Sequence, residues 1–426
     1  MGQSLSHSVL WVAIATLCSP VIAPPPAFAK PDGSISAAEI EQYRAQGQAG
    51  LDQFLAIHAP STQQLPQPKV RAALDSLCQQ RDCHASRLFW YTDLAAAKAK
   101  AAETGKPILS LRMLGNLDQE LSCANSRFFR IALYPNTEVS KYLRDRYILH
   151  WESVRPVPKV TIDYGDGRKL QRTLTGNSIH YILNAKGQPI DALPGLYGPQ
   201  AFLSHLKQAE DLNHNMAKGN GPESQDLLQT YHRDRLASTQ AQWQADLEKV
   251  GIKNLPPLAP LPSGTPFAID AGRLAMTKAV VETPLLAPAL GLAATADQNR
   301  AQLEEATHTE SWRKIADLYR DQAQLDHNSQ ALMLSKNSAQ WPQADAQFEA
   351  TVKNFETAMA LDTVRNEYLL HAQIHQWFIE AADTQTVEAL NTKVYADLFL
   401  TPDSDPWLGL RSESAYSAIE ADGLQQ

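Results

Sequence analysis

An excess of positive charge is what this sequence most plainly lacks. Its 38 Lys and Arg residues are outnumbered by 46 Asp and Glu, for a formal charge of -8. That balance argues against broad binding to nucleic acid or to an anionic membrane, because such partners need a net basic face to displace counterions. Long apolar runs are missing too. The run from Val9 to Cys18 is too short to cross a bilayer and is stopped by Pro20 and Pro24 to Pro26. A second stretch, Met276 to Ala294, is interrupted by Lys278, Glu282, Pro284 and Pro288. No transmembrane segment is therefore expected in the mature chain. No repeat of fixed period is present, and cysteine is scarce, at four in 426 residues.

What is present is the composition of a soluble globular protein. With 44% hydrophobic and 20% charged residues, the chain can bury a core in each of two or three domains. Residues 1–29 read as a signal peptide: an apolar run, a proline-rich stretch, then Ala27-Phe28-Ala29 before Lys30, with small residues where a signal peptidase requires them. The segment before the apolar run carries no Lys or Arg, which is off pattern. Export to the periplasm or the exterior is the expectation, and it leaves Cys78, Cys83 and Cys123. In an oxidising compartment these give one local disulfide, Cys78 to Cys83, and one leftover thiol. A continuous helix could not close that bridge, since residues five apart point to different faces; a helix ending near Cys78 could.

Residues 30–84 are expected to be a helical N-terminal extension, with Ser36 and Glu39 forming a capping-box pattern before a helix over 36–58 and a second helix over 69–78. From Arg87 the pattern changes. Arg87 to Tyr91 reads as a strand, Asp93 to Thr104 as an alanine-rich helix, and Pro107 to Leu114 as a buried strand. A helix follows through Phe129, another from Thr137 to Arg146, and a strand from Tyr147 to Trp151. Lys159 to Leu174 is a hairpin around Asp166-Gly167. His180 to Asn184 and Pro189 to Leu193 form a second hairpin, and a helix over 200–210 closes the unit. The region 211–426 reads as mainly helical, with a proline-rich linker near 254–266 and an aromatic-anchored loop, Thr401 to Leu410, that plugs onto a neighbouring surface.

The order of elements over 85–210, with Thr104-Gly105-Lys106-Pro107-Ile108-Leu109 entering the central strand and Ile182-Leu183-Asn184-Ala185-Lys186-Gly187 in the last hairpin, resembles the thioredoxin-like superfamily. The resemblance covers about 120 residues. It implies an α/β fold, a central mixed sheet flanked by helices, carrying a helical C-terminal region. The Lys159 to Leu174 hairpin would be an insertion.

The resemblance also implies a dithiol at the start of the helix after the central strand, where free backbone N–H groups and the helix dipole stabilise a thiolate. Counted without gaps, that position is Leu117-Asp118-Gln119-Glu120, which contains no sulfur. The family's cis-proline is likewise missing from Thr175-Gly176-Asn177-Ser178-Ile179. Cys123 admits two readings. If residues 115–121 are a loop, it opens the helix as a monothiol, with Ser126 in place of a resolving cysteine and Arg127 and Arg130 favouring the thiolate. If Asn116 caps the helix, then Leu117, Leu121, Ala124 and Phe128 are its buried face and Cys123 is an ordinary residue of the second turn. The second reading needs no inserted residue and keeps a coherent apolar stripe.

Farther on, Glu367, His371 and His375 follow one another at four-residue spacing on one helix face, a pattern that can hold Zn2+ if other ligands join it, and equally an intrahelical ion pair. No organic cofactor is called for. The expectation is an exported envelope protein without dithiol redox activity that binds or assembles with a protein partner; the alternative is a thiol-disulfide oxidoreductase using Cys123, with Ser126 and Arg127 beside it.

Overall fold

The computed structural model describes residues 35–408, apart from 62–63, 175, 220, 253–308, 340 and 382–384. The expected signal peptide and the proline-rich linker lie outside the described residues.

Among the described residues, six strands form two sheets. A four-stranded sheet has the order β2-β1-β5-β6, and a separate hairpin pairs β3 (Lys159–Asp163) with β4 (Lys169–Thr173). The central strand β1 (Ile108–Leu114) runs parallel to β2 (Ile148–Arg155) and antiparallel to β5 (Ser178–Leu183), which pairs antiparallel with β6 (Pro189–Pro194). β1, β5 and β6 are buried along their whole length. Such strands read as continuous apolar runs because both faces are covered. No helix among the described residues is long and apolar enough to cross a membrane.

The covering helices start where the sequence places caps. Asp93 accepts from the Ala95 amide to open α5 (Leu94–Thr104), and Asn136 accepts from the amides of Glu138 and Val139 to open α7 (Thr137–Arg146). α7 packs on β2 and on α8 (Pro199–Met216), which lies against β6 and the long α9 (Gly221–Lys249). The C-terminal helices are α10 (Thr309–Asp317), α11 (His327–Lys336), α12 (Ala346–Arg365), α13 (Ala372–Glu380) and α14 (Val387–Lys393). They share one apolar core with the sheet: Trp243, Trp312 and Ile374 belong to the same buried cluster as Leu111 and Tyr181.

The N-terminal helices α1 (Ala37–Arg44), α2 (Gln48–His58), α3 (Pro68–Cys78) and the single turn α4 (Cys83–Ser86) keep a second core around Leu51, Phe54, Leu74 and Leu77, with Cys78 and Cys83 inside it. The span read as one helix over 36–58 is broken at Gly47, whose φ of +63° ends α1 and begins α2. Arg87 to Tyr91 does not form the expected strand. Its backbone is divided between neighbours: Phe89 N–H goes to the Gln48 side chain, Trp90 N–H to Cys78 O, and only Tyr91 bridges to β2, at His150.

Candidate functional site

The sequence singles out two places for chemistry. The Cys123 region comes first in the chain. After β1 the backbone turns through Gly115, whose φ of +73° suits glycine, and helix α6 (Ala124–Phe128) opens only at Ala124 with Cys123 as its N-cap. The expected helix from Asn116 does not form. Leu117 is instead buried in the core from a loop, and its carbonyl accepts from Arg81 N–H, so the apolar stripe that suggested a helix is satisfied without one.

Cys123 is therefore at a helix start, but its side chain has no exposed surface. The thiol donates to Ser126 Oγ at 3.3 Å, and Ser126 Oγ donates in turn to Ser122 Oγ at 2.7 Å. Arg127 lies half-buried on the next turn, with its amide on Cys123 O. The buried cation of this region is Arg130, which pairs with Asp82 at 3.2 Å and donates to Glu120 O. Near it runs the last part of the described residues. Tyr395 donates to Asn177 O, Asn177 donates to Thr401 Oγ1 at 3.0 Å, and Arg155 donates to Thr401 O. Burial pushes the Tyr395 phenol well up, and the neighbouring Cys123 adds to that. Thr401 and Leu408 are buried while Trp407 is half exposed, so the C-terminal loop seats at the strand ends near Cys123 through its backbone and Leu408; Gly409 and Leu410 lie outside the described residues.

Cys78 and Cys83 are bonded, with Cα atoms 6.2 Å apart. α3 ends at Cys78 because Gln79 adopts a left-handed conformation, φ +56°, which frees the chain to return. Both sulfurs are fully buried in the N-terminal core that includes Phe89, whereas Cys123 belongs to the main core.

The second place is a buried cluster of histidines and carboxylates between the sheet and the C-terminal helices. Glu367, His371 and His375 are all in it, but not as one ligand set. Glu367 and His371 sit in a π-helical turn, Asn366–His371, joining α12 to α13. Glu367 Oε2 lies 3.1 Å from His205 Nε2 and 3.0 Å from His371 Nδ1, and Glu367 Oε1 accepts from Arg235 at 3.3 Å. His371 Nε2 reaches Asp191 Oδ1 at 2.8 Å, and Tyr231 donates to Asp191 Oδ2 at 2.9 Å. His375 faces away from that chain toward His232, with their Nδ1 atoms 2.8 Å apart. Two triads result, His205, Glu367 and His371 in one and Asp191, His232 and His375 in the other, and within each the ligand atoms lie within 4.8 Å of one another.

Charge in the cluster is internally balanced. Burial pushes His371 down, but Asp191 and Glu367 outweigh it and hold the imidazole up at about 9. Burial likewise pushes the two carboxyls up, and the histidines beside them overcome it, keeping both well below the usual carboxylate range. His232 and His375 have no carboxylate in direct contact, so burial wins and pushes His232 down to about 4 and His375 well down. The first triad opens to solvent. His205, Arg235 and Glu367, with Thr239, Tyr319 and Tyr368, line a cleft of about 500 Å³ between α8, α9 and α12.

Asp191, His205 and His232 escape a reading of the sequence because each stands alone in its own element, on β6, α8 and α9. One signal was available: an aspartate inside the otherwise apolar strand Pro189-Ile190-Asp191-Ala192-Leu193 has to be buried with a partner. No protein-family model matches the sequence, and the chain has no match among curated proteins or solved structures.

Proposed function

We propose that this is an exported thioredoxin-like protein of the cell envelope that acts as a binding or assembly module rather than through dithiol redox chemistry. The strand order β2-β1-β5-β6, one parallel pair followed by an antiparallel hairpin, is compatible with that fold family. The observation that carries the functional reading is the burial of Cys123. Thiol-disulfide exchange proceeds through a mixed disulfide, which requires in-line access to sulfur. Here the sulfur has none, and Cys123 lies in the same buried core as its neighbour Tyr395. A surface suited to recognition is the polar cleft over His205 and Arg235, walled mainly by α8 and α9 with the end of α12 closing one side.

The competing reading makes Cys123 a monothiol nucleophile assisted by Ser126 and Arg127, and the N-cap position speaks for it. Iodoacetamide labelling of the folded mature chain separates the two. A binding module labels at Cys123 only when unfolded, and its Cys123→Ser variant keeps its fold and its partner. Fast labelling of the native protein, with exchange activity lost in that variant, would establish the oxidoreductase instead.

A further inference from the structure

The cluster of histidines and carboxylates has a feature that ion pairing does not explain. His232 donates Nε2–H to Ile190 O at 3.1 Å, which fixes the tautomer of this ring and leaves a lone pair on Nδ1. That lone pair points at His375 Nδ1, 2.8 Å away. Both rings are fully buried, and His375 Nε2 has no hydrogen-bond partner. A metal-binding histidine characteristically donates its other N–H to a backbone carbonyl or a carboxylate, which fixes the ring and raises its basicity. The His232 contact to Ile190 has that form.

The backbone is irregular on both sides of this point. β5 and β6 pair Ile182 with Asp191 and Leu183 with Pro189, so Ile190 is an extra residue, and the resulting bulge presents its carbonyl to His232. On the opposite side, the π-helical turn Asn366–His371 precedes His375. Asp191, the third member, is already oriented by Tyr231 and His371.

We propose that Asp191, His232 and His375 bind a divalent transition metal ion of the zinc class, with His371 and Tyr231 as positioning residues that hold the carboxylate. Two imidazoles and one carboxylate suit zinc and its neighbours and disfavour magnesium or calcium, which want oxygen ligands. At a metal–nitrogen distance of 2.0–2.1 Å, two tetrahedral nitrogens stand about 3.3 Å apart. The rings therefore need to part by about half an ångström, with the ion replacing the proton they now share. The neighbouring triad of His205, Glu367 and His371 keeps its ion pairs and closes the site from the cleft.

The test uses the full mature chain, stripped with chelator and titrated with Co2+ and with Zn2+. The expected result is one equivalent of either ion. Co2+ should give visible d–d bands, and X-ray absorption of the Zn2+ form should show two imidazoles, an oxygen ligand and no sulfur. Binding should fall at least 100-fold in His232→Ala and His375→Ala, and should persist in His205→Ala and Cys123→Ser. No saturable binding by the parent chain would overturn the proposal, as would undiminished binding by a folded His232→Ala or His375→Ala variant. If neither variant folds, the absorption spectrum of the parent decides: any ligand set other than two imidazoles with oxygen overturns it.

Discussion

Asn366 Nδ2 donates to Leu196 O at 2.8 Å, and the same side chain lies against Gly195, where an added Cβ would come within 2.7 Å of it. This contact ties the end of β6 to the first residue of the π-helical turn, and so holds the two halves of the histidine cluster in register. Gly195 has φ +75°, a conformation that alanine adopts only with strain. Gly195→Ala is expected to cost about 2 kcal/mol, from strain and overpacking together. A urea titration followed by tryptophan fluorescence reads the loss, and a variant as stable as the parent would mean the contact can relax freely.

Asp191 carries the charge balance of the cluster. Replacing it with asparagine leaves the His371 imidazolium, which has no exposed surface of its own, with Glu367 alone. Loss of one member of a buried pair typically costs about 3–5 kcal/mol, so Asp191→Asn should lower the chelated protein's stability by about 3 kcal/mol at pH 7. A change below about 1 kcal/mol would show that the pair is not formed as described.

Buried histidines make stability depend on pH in a defined direction. His150 on β2 and His180 on β5 are both pushed down to about 3, by burial first and, for His150, by Arg112 as well. Above the ordinary histidine value of about 6.5 they are neutral in both folded and unfolded chains. As pH falls from there toward 3, the unfolded chain takes up protons the folded one refuses, and stability is lost at up to about 1.4 kcal/mol per pH unit for each group. His371, held up at about 9, has the opposite sign: its contribution is fully present below 6.5 and disappears as pH rises through 9. Urea midpoints at pH 4.5, 6.5 and 9.5 should therefore be highest at 6.5, and a midpoint at 4.5 equal to that at 6.5 would contradict the burial of His150 and His180.

The disulfide closes a very short loop, which limits what it contributes. On the chain-entropy account, bridging residues separated by five positions stabilises by about 2 kcal/mol. The double variant Cys78→Ser/Cys83→Ser should lose about that amount, plus the cost of placing hydroxyls among Leu74, Leu77 and Phe89. Amide exchange should then accelerate in α1 to α3 more than in the main sheet, since these helices have their own core. Uniform acceleration would mean that the two cores unfold as one.

Tyr395 neighbours Cys123 in the buried core. Tyr395→Ala should cost about 3 kcal/mol as a large-to-small change in the core and should raise native-state labelling of Cys123 by at least tenfold. Unchanged labelling would place the barrier elsewhere in the terminal segment.

Local signals in the sequence were sufficient where one short segment decides its own structure. The β3–β4 hairpin follows from Asp166-Gly167, α7 from its own segment Thr137 to Arg146, and the end of α3 from the need to close a bridge between Cys78 and Cys83. They were insufficient where a segment can satisfy its apolar side chains in two ways. Leu117 is buried whether residues 116–123 are helical or not, so periodicity could not place the start of α6. Of the candidate metal site only His375 was legible: the four-residue spacing of Glu367, His371 and His375 was visible, but that spacing assumes an unbroken α-helix and one shared face. The π-helical turn breaks the assumption, sending Glu367 and His371 to His205 and Asp191 and sending His375 to His232, partners that only the packing of distant elements supplies.

That turn makes the site unusually sensitive to length. One residue removed from within Asn366–His371 would restore a regular helix and swing everything after it by about 100°, carrying His375 away from His232 while every ligand stayed in the chain. Among descendants of this gene, the capacity to hold an ion would then be gained or lost through a single-codon insertion or deletion. A survey of such descendants should count residues between Gly195's partner Asn366 and His375 before it counts histidines.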